Sequence, residues 1–380
     1  MADATDVEYQ QREENAMEEG GLAVELAVLA VIASRLRKVD ENTTYALARA
    51  WQAEDMAAIQ RLLGSGARLL SVRSDGIMHG MAESSDEWAG KFYESAGVLQ
   101  RPVVEDPFLS QTLSAGKKSN VANIEGLCRT SVLRIQAPDG TLMRIDEAYK
   151  AIVDFAIQSI LQGETAYEKA IQKAVWKLSQ AGLRVQYASG ATRELYAAVA
   201  QNVMDGFRLT MQEVRDQQAQ QFKADGVEVS AHGMCADDHL PYQGRQFTKA
   251  EFDAIQRKLK RPIGKGYNCR HMVTGVILGV SSDAYSEKRR KALAKESTRK
   301  TGVKTSDGRD MTAYEFSQWQ RRQEAEIRKL KAQAVVHDKA GLDAKEFREK
   351  AAEKTKAYRE LSKKAGVETR LERTWISTKL

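Results

Sequence analysis

Residues 195–214 read LYAAVAQNVMDGFRLTMQEV, and Leu195, Val199, Val203, Phe207, Met211 and Val214 recur along them every three or four positions. That period places all six on one face of a helix. With no proline between Pro138 and Pro241 to break it, the spacing predicts a helix from about Thr192 to Lys223. The same period extends outward. AYKAIVDFAIQSILQGE (148–164) and TAYEKAIQKAVWKLSQAG (165–182) read as two more helices, the second opened by Thr165 and closed by Gly182 as C-cap residue. LRVQY (183–187), ending in an Ala-Ser-Gly turn, predicts a short strand. VLRIQAPDGTLMRI (132–145) predicts a hairpin, with Pro138-Asp139-Gly140 as turn chemistry between two β-branched runs.

The most apolar run, LAVELAVLAVIAS (22–34), contains Glu25 and is well short of the ~20 residues that a membrane span needs. A buried or partner-facing helix is predicted there, and no stable membrane span. At 380 residues, 42% hydrophobic and 29% charged, the chain is neither disordered nor collagenous and has length for two or three domains. Its three cysteines, at 128, 235 and 269, are too few and too scattered for a disulfide framework and fit a reducing compartment. The first 20 residues are acidic where a signal peptide would be basic, so no export signal is expected.

Charge is divided along the chain. Residues 286–380 carry 26 Lys+Arg and 15 Asp+Glu, a net +11, while residues 1–285 carry 32 and 37, a net −5. A basic segment on a mildly acidic body points to a partner of dense negative charge, nucleic acid above all. Within that segment Phe316, Trp319, Ile327, Leu330 and Ala334 form one helical stripe. Phe347, Ala351, Tyr358, Leu361 and Ala365 form another, opened by Asp343 and Glu346 at capping-box spacing and stopped by Gly366. The expected fold class is mainly α: a multi-helix body, a small α+β module containing Cys and His, and a basic C-terminal helical hairpin. The boundaries drawn are an acidic N-terminal tail over 1–20, a helical body over 21–228, the module over 229–285 and the basic helical tail over 286–380. No internal repeat, P-loop or dinucleotide fingerprint is visible.

The module is the one segment of different character. HGMCADDHLPYQG (232–244) and GYNCRH (266–271) hold three of the five histidines and two of the three cysteines. One reading is a structural zinc site with Cys235 and His239 as one ligand pair and Cys269 and His271 as the other. Against it, the Cys-x-His spacing of Cys269 and His271 would send the two side chains to opposite faces of an extended strand. A second reading is catalysis, with Cys235 or Cys269 activated by a neighbouring histidine, or His239 paired with Asp237 or Asp238 as acid and base. The preferred reading is a metal-free knot in which His232, His239 and His271 are satisfied polar groups, Asn268 and Arg270 bond backbone carbonyls, and the cysteines act as small buried hydrophobes.

EVSAHGMCADDHLPYQGRQFT (228–248) followed by RPIGKGYNCRHMVTGVILGVSSDAYS (261–286) resembles the phage minor capsid protein 2 family and, more distantly, the Mu F-like head morphogenesis proteins. The likeness is carried by Ser230, His232, His239, Gln243, Gly244, Asn268, Cys269, Arg270 and His271, and extends in weaker form over roughly residues 20–380. The position of Cys235 varies in that family, which argues against a four-ligand zinc site and for no cofactor. The resemblance implies a non-enzymatic minor head protein of a tailed bacteriophage, made in the bacterial host cytoplasm and resident in the virion. It would sit at the portal or the inner capsid wall, aiding head assembly or DNA delivery. Its implied partners are the portal protein, the major capsid protein, other copies of itself and packaged double-stranded DNA. Basic residues suited to non-specific DNA contact are Lys288, Arg289, Arg290, Lys291, Arg321, Arg322, Arg328 and Lys329. The alternatives are a metal-dependent hydrolase or nuclease centred on His232, Asp237, Asp238 and His239, and a DNA-binding protein unconnected with virions.

Overall fold

A computed structural model describes residues 2–137, 139–161, 167–264 and 269–377. Three long helices come first, α1 (Ala2–Leu36), α2 (Tyr45–Ser95) and α3 (Pro107–Leu127). The hairpin β1 (Leu133–Gln136) and β2 (Leu142–Arg144) leads into α4 (Ile145–Leu161). After α5 (Tyr167–Ala181), β3 (Arg184–Gln186) and β4 (Thr192–Glu194) lead into α6 (Leu195–Gln221). The module holds β5 (Gly226–Val229), β6 (Gln246–Thr248), α7 (Lys249–Lys258) and β7 (Val273–Val276). The basic segment holds α8 (Glu287–Thr298), β8 (Lys300–Lys304), β9 (Asp310–Thr312), α9 (Ala313–Lys339) and α10 (Lys345–Ala365). The fold is mainly α, as the periodic faces predict.

Several boundaries move for local reasons. The helix expected from Thr192 begins at Leu195 because Thr192–Glu194 pairs with β3. Gly182, at φ +62°, follows the last residue of α5 as expected, whereas Thr165 lies outside the described residues. The capping box anticipated at Asp343 does not form, since Asp343 Oδ1 instead accepts from the Lys345 amide at 2.8 Å. Capping boxes form at Thr248 with Glu251 and at Thr312 with Glu315, starting α7 and α9.

The apolar run of α1 is the centre of the core. Val24, Val28, Ile32 and Leu36 are buried in one cluster with Val203, Phe207 and Met211 of α6, and with Val336 of α9 and its C-cap residue Ala340. Gly66 of α2 permits this packing, because a Cβ there would stand 2.3 Å from Val24 Cγ2. Two expected segments are therefore corrected. Residues 2–20, expected as an acidic tail, belong to α1, which is helical from Ala2, and Glu14 and Glu18 pair with Arg270 and Arg328 at 3.0 and 2.7 Å. The basic segment holds the expected helical pair α9 and α10 but more besides: Val336 of α9 and its C-cap residue Ala340 lie in the main core, and a two-stranded β8–β9 sheet precedes α9.

An internal repeat is present in the structure, although none is legible in the sequence. Gly140, Gly190 and Gly308, at φ +95°, +82° and +83°, each close a tight hairpin turn. Two positions later comes a three-residue strand, and five positions later a helix, at Ile145, Leu195 and Ala313. The turn hydrogen bonds coincide: Ala137 N–H to Thr141 O and Gly140 N–H to Ala137 O, Tyr187 to Ala191 and Gly190 to Tyr187, Thr305 to Arg309 and Gly308 to Thr305, all 2.8–3.0 Å. Gly244, at φ +66°, repeats the unit once more. Val229 N–H donates to Arg245 O at 3.0 Å, Gly244 N–H donates to Val229 O at 2.8 Å, and β6 and α7 follow at the same offsets. In this copy residues 230–243 replace the two residues of the other turns. The unit depends on one left-handed glycine and on backbone pairing, so little side-chain identity recurs.

One buried acid has a measurable consequence. Glu25, on α1, accepts the Leu183 amide at 3.0 Å, and burial raises its carboxyl to about 8. The folded state therefore keeps a proton that the unfolded chain releases near pH 4.5. Stability is full below that pH and falls as pH rises through about 8. Thermal melts between pH 5 and 8 are expected to show this decline in the wild type and a flatter profile in Glu25→Gln; identical profiles would contradict it.

Candidate functional site

The expanded turn 230–243 is held against the segment that leads into β7. Ser230 N–H donates to Met272 O at 2.9 Å, and Ser230 Oγ accepts the Met272 amide at 2.8 Å. The strand order β6-β5-β7 puts this turn and residues 269–272 at one end of the same sheet. Gln243 Oε1 accepts the His232 amide at 3.1 Å and lies 3.3 Å from His271 Nε2. A further tie runs to α8, where Ser297 Oγ accepts the Cys235 amide at 3.0 Å.

His239, Cys269 and His271 converge. Cys269 Sγ lies 3.6 Å from His239 Nδ1 and 3.5 Å from His271 Nδ1, and all three side chains are buried. His239 Nε2 bonds the Arg261 carbonyl at 2.8 Å, and the Gly264 amide donates to Cys269 Sγ at 3.3 Å. Cys235 is buried too, but its Sγ approaches the other edge of the His271 ring, 3.7 Å from Nε2, and donates to Ala236 O at 3.3 Å. The His232 and His271 rings are 4.4 Å apart. Asn268 lies outside the described residues.

Among the described residues Arg270 does not bond local carbonyls. It turns away from the cluster to Glu14 of α1, Nη2 to Oε2, at 3.0 Å. The acid/base pair is not assembled, because Asp238 is clamped by the Arg261 guanidinium at 2.5 and 3.1 Å and Asp237 is exposed. Neither carboxylate is among the hydrogen-bond partners of His239 within the described residues.

The electrostatics follow burial. Desolvation takes His232 down to about 4, against the opposing bond to Gly233 O, and takes His271 well below the usual imidazole range. It pushes the Cys235 thiol up. Burial would do the same to Cys269, but the bonds to His239 and to the Gly264 amide outweigh it and lower the thiol. His239 is raised despite desolvation, through Cys269 and the Arg261 carbonyl.

His232, His239, Cys269 and His271 line a cavity of about 490 Å³ between the module and the basic segment. Arg261, Arg270, Arg289, Arg321, Arg370 and Arg373 line it as well, with Glu296, Glu324 and Glu368. Sequence reasoning missed Arg261 and Arg373, whose roles appear only when distant segments meet. The basic residues assigned to DNA separate into groups. Lys288, Arg289, Arg322 and Lys329 are exposed, and Lys291 is exposed but paired with Glu287 at 2.7 Å. Arg290 is committed to the carbonyls of Gly244 and Tyr285 at 3.2 and 2.9 Å. Arg328 is buried, bonded to Glu18 and to the Arg373 carbonyl at 2.7 and 2.8 Å, and is withdrawn from any DNA surface. Arg321 is half-buried in the cavity wall.

Among the described residues no helix is long and apolar enough to cross a membrane. The sequence model of one family, described as Phage minor capsid protein 2, matches residues 22–363. No curated protein and no solved structure matches the chain.

Proposed function

Since the chain belongs to the phage minor capsid protein 2 family, structural proteins of the virion, we propose that it sits at the portal or the inner capsid wall. There it contacts packaged double-stranded DNA without sequence preference and aids head assembly or DNA delivery. Its protein partners are the portal protein, the major capsid protein and other copies of itself.

The observation that carries the DNA-facing part is the state of the basic side chains. Lys288, Arg289 and Lys295 on α8, and Lys356, Arg359, Lys363 and Lys364 on α10, are exposed. They have no ion-pair partner among the described residues. Arg299 joins the ends of the two helices by donating to the carbonyls of Ala365 and Gly366 at 2.9 and 3.1 Å. Lys295, Lys363 and Lys364 thus fall within a turn of one junction, and phosphates attract such clusters regardless of base sequence. Glu14 and Glu18 of α1, by contrast, are spent inside the molecule on Arg270 and Arg328.

Cross-linking mass spectrometry on purified heads tests the placement. The expected result is this chain in the particles, linked to portal or inner-wall peptides. Its absence from purified heads would overturn the reading.

A further inference from the structure

We propose that His239, Cys269 and His271 bind one zinc ion as a three-ligand site whose fourth position opens to the arginine-lined cavity. The inference does not depend on the capsid role.

The distances support it first. With Zn–S about 2.3 Å and Zn–N about 2.0–2.1 Å, a tetrahedral ion sets its sulfur and nitrogen ligands about 3.5 Å apart. The Cys269 sulfur stands 3.6 and 3.5 Å from the two Nδ1 atoms, and the three ligand atoms lie within 4.8 Å of one another. A neutral thiol-imidazole bond requires only one such approach, whereas here two imidazoles offer the same atom to one sulfur.

The outer contacts orient both rings for this purpose. His239 Nε2 faces the Arg261 carbonyl at 2.8 Å, and His271 Nε2 faces Gln243 Oε1 at 3.3 Å. Both partners are oxygen acceptors, so each ring carries its hydrogen on Nε2 and turns the Nδ1 lone pair toward Cys269. Metal-bound histidines are held in the same way. The Gly264 amide, donating to Cys269 Sγ at 3.3 Å, supports a sulfur ligand in its anionic form. A thiolate with two imidazoles favours zinc over magnesium or calcium, which prefer oxygen.

Strand alternation does not separate the ligands. Residues 269–272 precede β7, which begins at Val273, so Cys269 and His271 are free of it and reach the same side. Cys235 is not the fourth ligand, because it meets the opposite edge of the His271 ring. Three protein ligands leave a position for water or an anion. His232 lines the same cavity. Its Nδ1 is engaged with Gly233 O at 2.8 Å, and its Nε2 is buried without a partner.

Elemental analysis of the full chain, purified without a metal-affinity tag, tests the site. The expected result is one zinc per chain. Cobalt replacement is expected to give the visible absorption of a tetrahedral ion together with a thiolate-to-cobalt band. Cys269→Ser should lose the metal and Cys235→Ser should retain it. Gln243→Leu should weaken zinc binding by about 10–100-fold, the usual effect of removing an orienting partner. Should Cys269→Ser fail to fold, the wild-type cobalt spectrum decides alone, and absence of the thiolate band overturns the site. Wild type that takes up no zinc, full retention by Cys269→Ser, or loss in Cys235→Ser would each overturn it as well.

Discussion

Affinity of the full chain for a short DNA duplex is expected to fall by on the order of a thousandfold between 50 and 200 mM salt. Six or more phosphate contacts give a loss of that size, through release of condensed counterions. The exposed, unpaired basic residues of α8 and α10 supply seven candidates: Lys288, Arg289, Lys295, Lys356, Arg359, Lys363 and Lys364. Removing everything after Ser286 is a poor test, because Val336 of α9 and its C-cap residue Ala340 belong to the main core. Changing Lys356, Arg359, Lys363 and Lys364 to Gln leaves that core intact. Each phosphate-neutralising side chain removed should lower the slope of log affinity against log salt by about 0.9. Shuffled duplexes should bind equally well, since phosphate contacts carry no base information. Fluorescence anisotropy across the salt series reads both quantities. An unchanged slope in the four-site variant would show that α10 is not the DNA surface.

Arg270→Ala is expected to destabilise the protein by about 3–5 kcal/mol, the usual cost of leaving a buried charge without its partner. Arg270 and Glu14 are both largely buried and 3.0 Å apart. Burial alone would raise the Glu14 carboxyl, but the charges of Arg270, Arg321 and Arg208 outweigh it and hold Glu14 at about 2. Its contribution is therefore present above the ordinary carboxylate value near 4.5 and is lost as pH falls toward 2. Urea denaturation at pH 7 measures the effect. A Glu14→Met, Arg270→Met double variant should recover most of the loss, because an apolar pair removes both desolvation costs together. A single-variant loss under about 1 kcal/mol would mean that solvent reaches the pair.

Periodicity in the sequence was enough to find α4, α5, α6, α9 and α10, because each face of a helix is written in residues three or four apart. The β1–β2 hairpin was legible for the same reason, through Asp139-Gly140 between alternating runs. The hairpin-helix repeat was not, since its determinants are a single glycine and backbone hydrogen bonds that any side chains tolerate. The first turns of α1 read as an acidic tail because their partners, Arg270 and Arg328, lie more than 250 residues away in the chain.

The candidate site divides similarly. His232, His239, Gln243, Cys269 and His271 stood out by residue type, and the local sequence also set the left-handed turn at Gly244 that ends the expanded loop. Which of them meet was decided by the pairing of β5 with β7, which brings residues 269–271 beside that loop and turns Cys235 to the far edge of His271. Composition alone established that positive charge gathers after residue 285. Only tertiary packing decided that Arg328 is buried and Arg270 largely buried against Glu18 and Glu14 of α1 while Lys356, Arg359, Lys363 and Lys364 face solvent. Helical faces and turns follow from neighbours in the chain. The partner of a buried charge or a metal ligand depends on which distant surfaces pack together, and local sequence does not carry that information.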